Sequence, residues 1–366
     1  MNISGIDHVE FYVGDARQAG FYFCTAYGFH VCAQGGPETG LVDQRSLLLR
    51  QGDISLVLTS GLTPEHPATE YVRRHGDGVA VVGLAVDDAT GAHGELVAAG
   101  AASVAPPTVA SPMVAPPGTH GGRLSSAVVS GFGDVVHRLV ERHGPADGLL
   151  PGLVPVPGPH PDGNGELLRT IDHLAICVPA GQLAATSRYY QDVFGFAQTF
   201  EEYIEVGGQG MDSAVVQSPS RGVTFTLIEP DPTRRPGQIN DFLQWHAGAG
   251  VQHLAFGVND IVEAVGALAE RGVRFLGTPA SYYDTLRDRL GVEVPVEDLR
   301  RLSILADRDH WGHLFQIFTE SVHVRRTLFL EIIERRGALT FGSGNIRALY
   351  EAKERELSAV TEEAAA

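Results

Sequence analysis

The chain is poor in cysteine. Only Cys24, Cys32 and Cys177 occur among 366 residues, with no Cys-x-x-Cys pair. That excludes a disulfide scaffold and a thiolate zinc site, and leaves each cysteine to be read as a small buried apolar residue. Long hydrophobic runs are missing too: no stretch reaches 18 consecutive apolar residues, and Met1 to Asp7 enters a strand-like run without the basic and apolar segments of a leader. The expectation is a cytoplasmic protein that does not enter a membrane. Positive charge is scarce, with 27 Lys and Arg against 44 Asp and Glu and a formal net charge of -17. With no basic run or basic, aromatic-interleaved stripe to neutralise phosphates, nucleic acid is excluded as a partner.

What is present fits a globular protein, with 43% hydrophobic and 19% charged residues. The length points to two domains or one repeated domain. A break in composition supports a division. Gly144 to Gly165 holds six prolines and six glycines and has neither helical nor strand periodicity. We divide the chain into an N-terminal domain, 1–144, a linker, 145–168, and a C-terminal domain, 169–366.

The same phrases recur on both sides of the linker. Ile6-Asp7-His8-Val9 returns as Ile171-Asp172-His173-Leu174, Gly78-Val79-Ala80-Val81 as Gly250-Val251-Gln252-His253, and Val136-His137-Arg138-Leu139 as Phe329-Leu330-Glu331-Ile332. Three colinear matches with slowly growing offsets indicate a duplication with loop insertions in the second copy. In each half a strand is followed by an amphipathic helix and further strands. Gln182 to Phe194 carries apolar residues at helical spacing, and Val262 to Arg271 does the same before Gly272-Val273-Arg274-Phe275-Leu276. Val223 to Ile228 and Leu314 to Thr319 read as strands. The expected fold is therefore α+β, with a β-α-β-β-β unit written twice per half. A charged helix from Asn345 to about Val360 follows.

The duplication allows one copy to be compared with the other. Where the N-terminal copy has His8, Val81 and Arg138, the C-terminal copy has His173, His253 and Glu331. Valine cannot bind a metal and arginine would repel one, so only the second copy keeps a ligand set. Two imidazoles and a carboxylate, without thiolates, favour non-haem Fe(II) or Mn and leave half of an octahedron open. All three lie mid-strand in apolar runs, where a metal removes the cost of burying them. A single buried His or Glu is more often structural, and His246, His310, His313 and Glu334 are read that way because they lie in turns, at a helix end or out of register.

At these residues the chain resembles the 4-hydroxyphenylpyruvate dioxygenase family of the vicinal oxygen chelate superfamily. The resemblance is carried by Ile171-Asp172-His173, Gly248-Ala249-Gly250-Val251-Gln252-His253, Leu314-Phe315-Gln316-Ile317-Phe318-Thr319, Leu328-Phe329-Leu330-Glu331-Ile332-Ile333-Glu334-Arg335 and Phe341-Gly342-Ser343-Gly344-Asn345. It implies an open β-barrel in each half and a C-terminal lid helix. It further implies one Fe(II) per chain on His173, His253 and Glu331, with 4-hydroxyphenylpyruvate and O2 as substrates. By position, Ser213, Thr226, Gln238, Gln252 and Gln316 match polar pocket positions of the family, Phe318 and Phe329 match the aromatic residues flanking the substrate ring, and Phe341, Asn345, Ile346 and Tyr350 line or gate the pocket. A homo-oligomer, by preference a dimer, is the expected state.

The family holds two activities on one substrate. Both begin with oxidative decarboxylation; the dioxygenases proper then hydroxylate the ring to give homogentisate, and hydroxymandelate synthases hydroxylate the benzylic carbon. Where homogentisate-forming members read Gly-Asn-Phe and Ala-Leu-Phe, this chain has Gly344-Asn345-Ile346 and Ala348-Leu349-Tyr350. Where they read Pro-Ile-Asn-Glu-Pro, it has Thr226-Leu227-Ile228-Glu229-Pro230. These departures resemble the synthase branch, which supplies 4-hydroxyphenylglycine to peptide antibiotics. Proteins of the same unit also sequester small molecules or act as zinc or nickel glyoxalases and isomerases. Sequestering proteins need no triad, and glyoxalase-type sites draw ligands from paired modules. If Ile346 decides the position of hydroxylation, Ile346→Phe shifts product toward homogentisate; an unchanged product ratio, read by chromatography, would assign the decision to other pocket residues.

Overall fold

The computed structural model describes residues 1–110, 123–144, 149–157, 166–291, 295–342, 344, 345 and 347. The N-terminal half forms strands β1 (Ile3–Tyr12), β2 (His30–Gly35), β3 (Gln44–Gln51), β4 (Ile54–Gly61), β5 (Gly78–Val86), β6 (Ser103–Ala110), β7 (Arg123–Phe132) and β8 (Val135–His143). A two-residue strand, β9 (Val154–Pro155), follows. The C-terminal half forms β10 (Thr170–Cys177), β11 (Ala197–Val206), β12 (Gln209–Gln217), β13 (Thr224–Pro230), β14 (Gly250–Gly257), β15 (Leu305–Arg308), β16 (His313–Phe318) and β17 (Phe329–Arg336).

Among the described residues these make two mixed sheets. Their orders are β6-β7-β8-β5-β1-β4-β3-β2-β9 and β11-β12-β13-β10-β14-β17-β16-β15. In each half two β-α-β-β-β modules meet through their first strands, β1 with β5 and β10 with β14, and the sheet is an open half-barrel of the vicinal oxygen chelate type. Helices Leu183–Asp192 and Ile261–Glu270 correspond to the two read from periodicity. Of the segment after the second helix, Phe275 makes a single bridge to Thr319. Three short helices, Ala280–Asp284, Leu286–Leu290 and Val296–Arg301, then precede β15. Within the Pro- and Gly-rich stretch, Val154–Pro155 pairs with Ala33 and Gln34 of β2, while Leu150 and Leu153 are buried against Leu48 and Val57. Of the terminal helix, Asn345 and Arg347 are described; Ile346 and Tyr350 lie outside the described residues.

The strand registers repeat between halves. Glu10 faces Val81 and Gly83 faces Arg138 in the first copy, and Ala175 faces His253 and Ala255 faces Glu331 in the second. Two irregularities repeat as well. The β10–β14 ladder skips Asp172 on one strand and Gln252 on the other, as the β1–β5 ladder skips Asp7 and Ala80. Each extra residue breaks the alternation of faces and bends the strand. One core joins the halves: Phe29 packs on Phe256 with ring centroids 5.9 Å apart, and the buried His137 ring shares a hydrogen bond with the Tyr190 hydroxyl at 2.8 Å.

Candidate metal centre

Ladder geometry explains why three residues far apart in sequence converge. Ala255 stands opposite His173 on one side and Glu331 on the other, and His253, two residues earlier on β14, shares its face. His173, His253 and Glu331 thus project from three adjacent strands, all buried. Each offers one ligand atom, and these atoms lie within 4.8 Å of one another. Glu331 Oε2 is 3.2 Å from Nε2 of both His173 and His253.

The set is held from outside. Asp172, the bulge residue, accepts the His173 Nδ1 hydrogen at 2.8 Å, and Arg335 grips both Asp172 oxygens at 2.7 and 2.9 Å. With Nδ1 committed, Nε2 is left to face Glu331. Burial opposes charge on the His173 ring, but Glu331 beside it and the Asp172 hydrogen bond prevail and push it up to about 9. Burial likewise works against the Glu331 carboxylate, yet His173 and His253 hold it below the usual range. Without a cation the site therefore keeps a proton between His173 and Glu331, and a divalent ion would take that proton's place. Two imidazoles and a carboxylate, buried, converging and oriented through an outer carboxylate, suit a divalent transition metal with open positions.

In the N-terminal copy a side chain supplies the cation. Arg138 donates from Nη1 to His8 Nε2 at 3.0 Å and pairs with Glu10 Oε2 at 2.8 Å. The space is correspondingly filled: a Cβ on Gly83, the counterpart of Ala255, would fall 2.5 Å from the His8 ring.

A small pocket opens on the C-terminal triad. Of the residues expected there, Ser213, Thr226, Gln238, Gln252, Gln316, Phe318 and Phe341 line it, with Met211, Ile228 and Ile239 beside them. The bulge at Gln252 is what allows Gln252 and His253, neighbours in sequence, to face it together. Ser213 donates to the Glu202 carbonyl at 3.1 Å, whereas the buried Thr226 hydroxyl has no protein partner. Phe341 meets the His173 ring edge-on at 4.9 Å and Phe318 meets His253 at 5.7 Å. Phe329, expected beside a substrate ring, stands opposite His253 on the face that carries Glu331; its ring is stacked on that of His253 with centroids 4.9 Å apart and meets Phe318 edge-on at 6.1 Å. Asn345 is fully buried, and its Oδ1 accepts from the Tyr282 hydroxyl at 3.0 Å.

The other residues weighed as ligands are occupied elsewhere. His246 stacks on His75 with centroids 4.3 Å apart, His313 shares a hydrogen bond with the Leu290 carbonyl, and His310 packs against Trp311. Glu334 accepts the Ile261 amide at a helix start, as Glu141 accepts that of Ala89 in the first copy. No role was expected of Met211 or Ile239, and none of Asp172 or Arg335 beyond their place in the family phrases. Met211 could have been found from Ser213 by strand periodicity, and the Asp172–Arg335 pair from its counterpart, Asp7 and Arg142.

Comparison with known proteins accords with this architecture. Residues 1–150 match the family model described as hydroxyphenylpyruvate dioxygenase, N-terminal, and residues 170–317 match that of the glyoxalase/bleomycin resistance protein/dioxygenase superfamily. A probable 4-hydroxyphenylpyruvate dioxygenase 2 of Aspergillus fumigatus is 36% identical over 96% of this chain and 93% of its own length. The chain belongs to the 4-hydroxyphenylpyruvate dioxygenase family. It is thus an oxidoreductase of the dioxygenase type. The 4-hydroxyphenylpyruvate dioxygenase of Danio rerio is 33% identical, covering 96% of this chain and 90% of that protein. A solved structure of a triple mutant of 4-hydroxymandelate synthase from Streptomyces coelicolor is 44% identical, with a TM-score of 0.86 over 97% of this chain and 99% of that one. No helix among the described residues is long and apolar enough to cross a membrane.

Because the metal competes with a proton on a ring whose pKa is raised to about 9, apparent metal affinity rises with pH across the neutral range. The expected slope is on the order of tenfold per pH unit for one displaced proton, levelling above about pH 9. Titrations with Fe(II) under anaerobic conditions check this, and His253→Ala should bind much less metal at every pH. A pH-independent affinity, or full binding by His253→Ala, would contradict the assignment.

Proposed function

We propose that the chain is a 4-hydroxymandelate synthase, converting 4-hydroxyphenylpyruvate and O2 to 4-hydroxymandelate and CO2 with one Fe(II) on His173, His253 and Glu331. In this reading residues 1–144 are a metal-free scaffold joined through 145–168 to a catalytic half, 169–366. When bound, Fe(II) supplies the open coordination positions at which a 2-oxo acid can chelate and dioxygen can be activated. The chain's own contribution is to place the substrate. Ser213, Gln238, Gln252 and Gln316 offer polar groups in an otherwise apolar pocket, which fixes orientation through few contacts. The Thr226 hydroxyl, without a protein partner, is available to a substrate oxygen. Phe318 and Phe341, each packed against a ligand imidazole, confine the aromatic ring and keep bulk water from the reacting carbon.

The observation that carries the synthase reading is the place of Thr226 and Ile228. Both line the pocket, at positions where the homogentisate-forming pattern has Pro and Asn. The pocket thus gains a hydroxyl at one position and loses an amide at the other, next to the ring whose orientation decides which carbon is hydroxylated. The 44% identity to a hydroxymandelate synthase, against 36% and 33% for the two dioxygenases above, supports the same choice. Incubation of the purified protein with Fe(II), 4-hydroxyphenylpyruvate and air, followed by identification of the aromatic product, tests it. The expected product is 4-hydroxymandelate; homogentisate as the major product would assign the chain to the ring-hydroxylating activity.

A further inference from the structure

We propose that Arg335 is a positioning residue that ties the orientation of the His173 ring to the wall segment carrying Phe341, so that metal affinity and the shape of the pocket depend on one guanidinium. The inference rests on the metal reading of the site given above.

A histidine ligand is useful only if its ring is aimed. The His173 ring is fixed at Nδ1 by Asp172, but a carboxylate alone could offer either oxygen or turn away. Arg335 removes that freedom, since Nε donates to Asp172 Oδ2 at 2.7 Å and Nη2 to Oδ1 at 2.9 Å, a two-pronged grip that a lysine cannot reproduce. Its third nitrogen turns the other way: Nη1 donates to the Thr340 carbonyl at 2.6 Å and reaches that of Ala338 at 3.4 Å. The guanidinium carbon lies 5.0 Å from the centre of the Phe341 ring, within the range of a cation–π contact. Phe341 in turn meets His173 edge-on. The contacts form a closed circuit from Arg335 through Asp172 and His173 to Phe341 and back.

The duplication provides an internal control. In the N-terminal copy Arg142 grips Asp7 at 2.6 and 2.8 Å, and Asp7 takes the His8 Nδ1 hydrogen at 2.6 Å. There the ring faces Arg138 instead of a ligand set. The arginine–aspartate grip thus belongs to the fold in both halves, and in the second the ring it aims is part of a ligand set.

The test uses the full chain with Arg335→Gln, Arg335→Lys and Arg142→Gln. Thermal midpoints of the metal-free proteins are measured, together with affinity for Co(II), a spectroscopic probe, by competition with a chelator. Both glutamine variants should lower the midpoint to a similar degree. Arg335→Gln should weaken Co(II) binding roughly 10- to 100-fold, as loss of an outer partner of a ligand typically does. Arg335→Lys should fall between it and wild type, and Arg142→Gln should bind as wild type. Wild-type affinity in Arg335→Gln, or an equal loss in both glutamine variants, would overturn the proposal by showing a merely structural role. Should Arg335→Gln fail to fold, Arg335→Lys against Arg142→Gln decides on the same criterion. Failure of the wild-type chain to bind Co(II) would instead overturn the metal reading, and the inference with it.

Discussion

The constraint on which the rest depends is the burial of charge in the middle of a sheet. A carboxylate placed among imidazoles inside a half-barrel costs several kcal/mol unless a positive charge meets it. The two copies of the fold meet this cost differently. In the first, Arg138 reaches in and pairs with Glu10 beside His8. In the second, Glu331 stands at the position matched to Arg138, and the charge it calls for is left to a proton on His173 or to an ion from outside. One copy has closed its site with its own side chain; the other leaves its site open to an added cation.

The surrounding architecture follows from aiming that site. Two bulges, at Asp172 and Gln252, let sequence neighbours act together, the first to fix a ring and the second to bring a pocket amide beside a ligand. The same bulges occur in the first copy, so they belong to the fold of both halves and not to the metal site alone. A single core across the halves gives the strands that bear the triad a rigid backing, which is what a metal site held to within a fraction of an ångström requires.

Much of this was legible in the sequence, for a reason peculiar to it. The repeat supplied its own comparison, so His173, His253 and Glu331 stood out against His8, Val81 and Arg138, and the structure brings the three together. The polar pocket residues were not legible from pattern, since a Ser or Gln in a strand looks like any solvated position; only the resemblance singled them out. Phe318 and Phe329 were no more legible, because an aromatic residue in a strand reads as core. The role of Arg335 was hidden because an arginine near a strand end ordinarily reads as a solvated charge. The short helices between Ala280 and Arg301 are too brief to give a period, and Val154–Pro155 is hidden in a proline-rich stretch.

The central claim is that the two copies differ in where their buried cation comes from. Anaerobic crystals loaded with Fe(II), with anomalous scattering recorded at the iron edge, test it most directly. The account predicts one peak per chain, bonded to Nε2 of His173, Nε2 of His253 and the Glu331 carboxylate, and none beside Arg138. Iron bound by other side chains, or in the N-terminal copy, would contradict it.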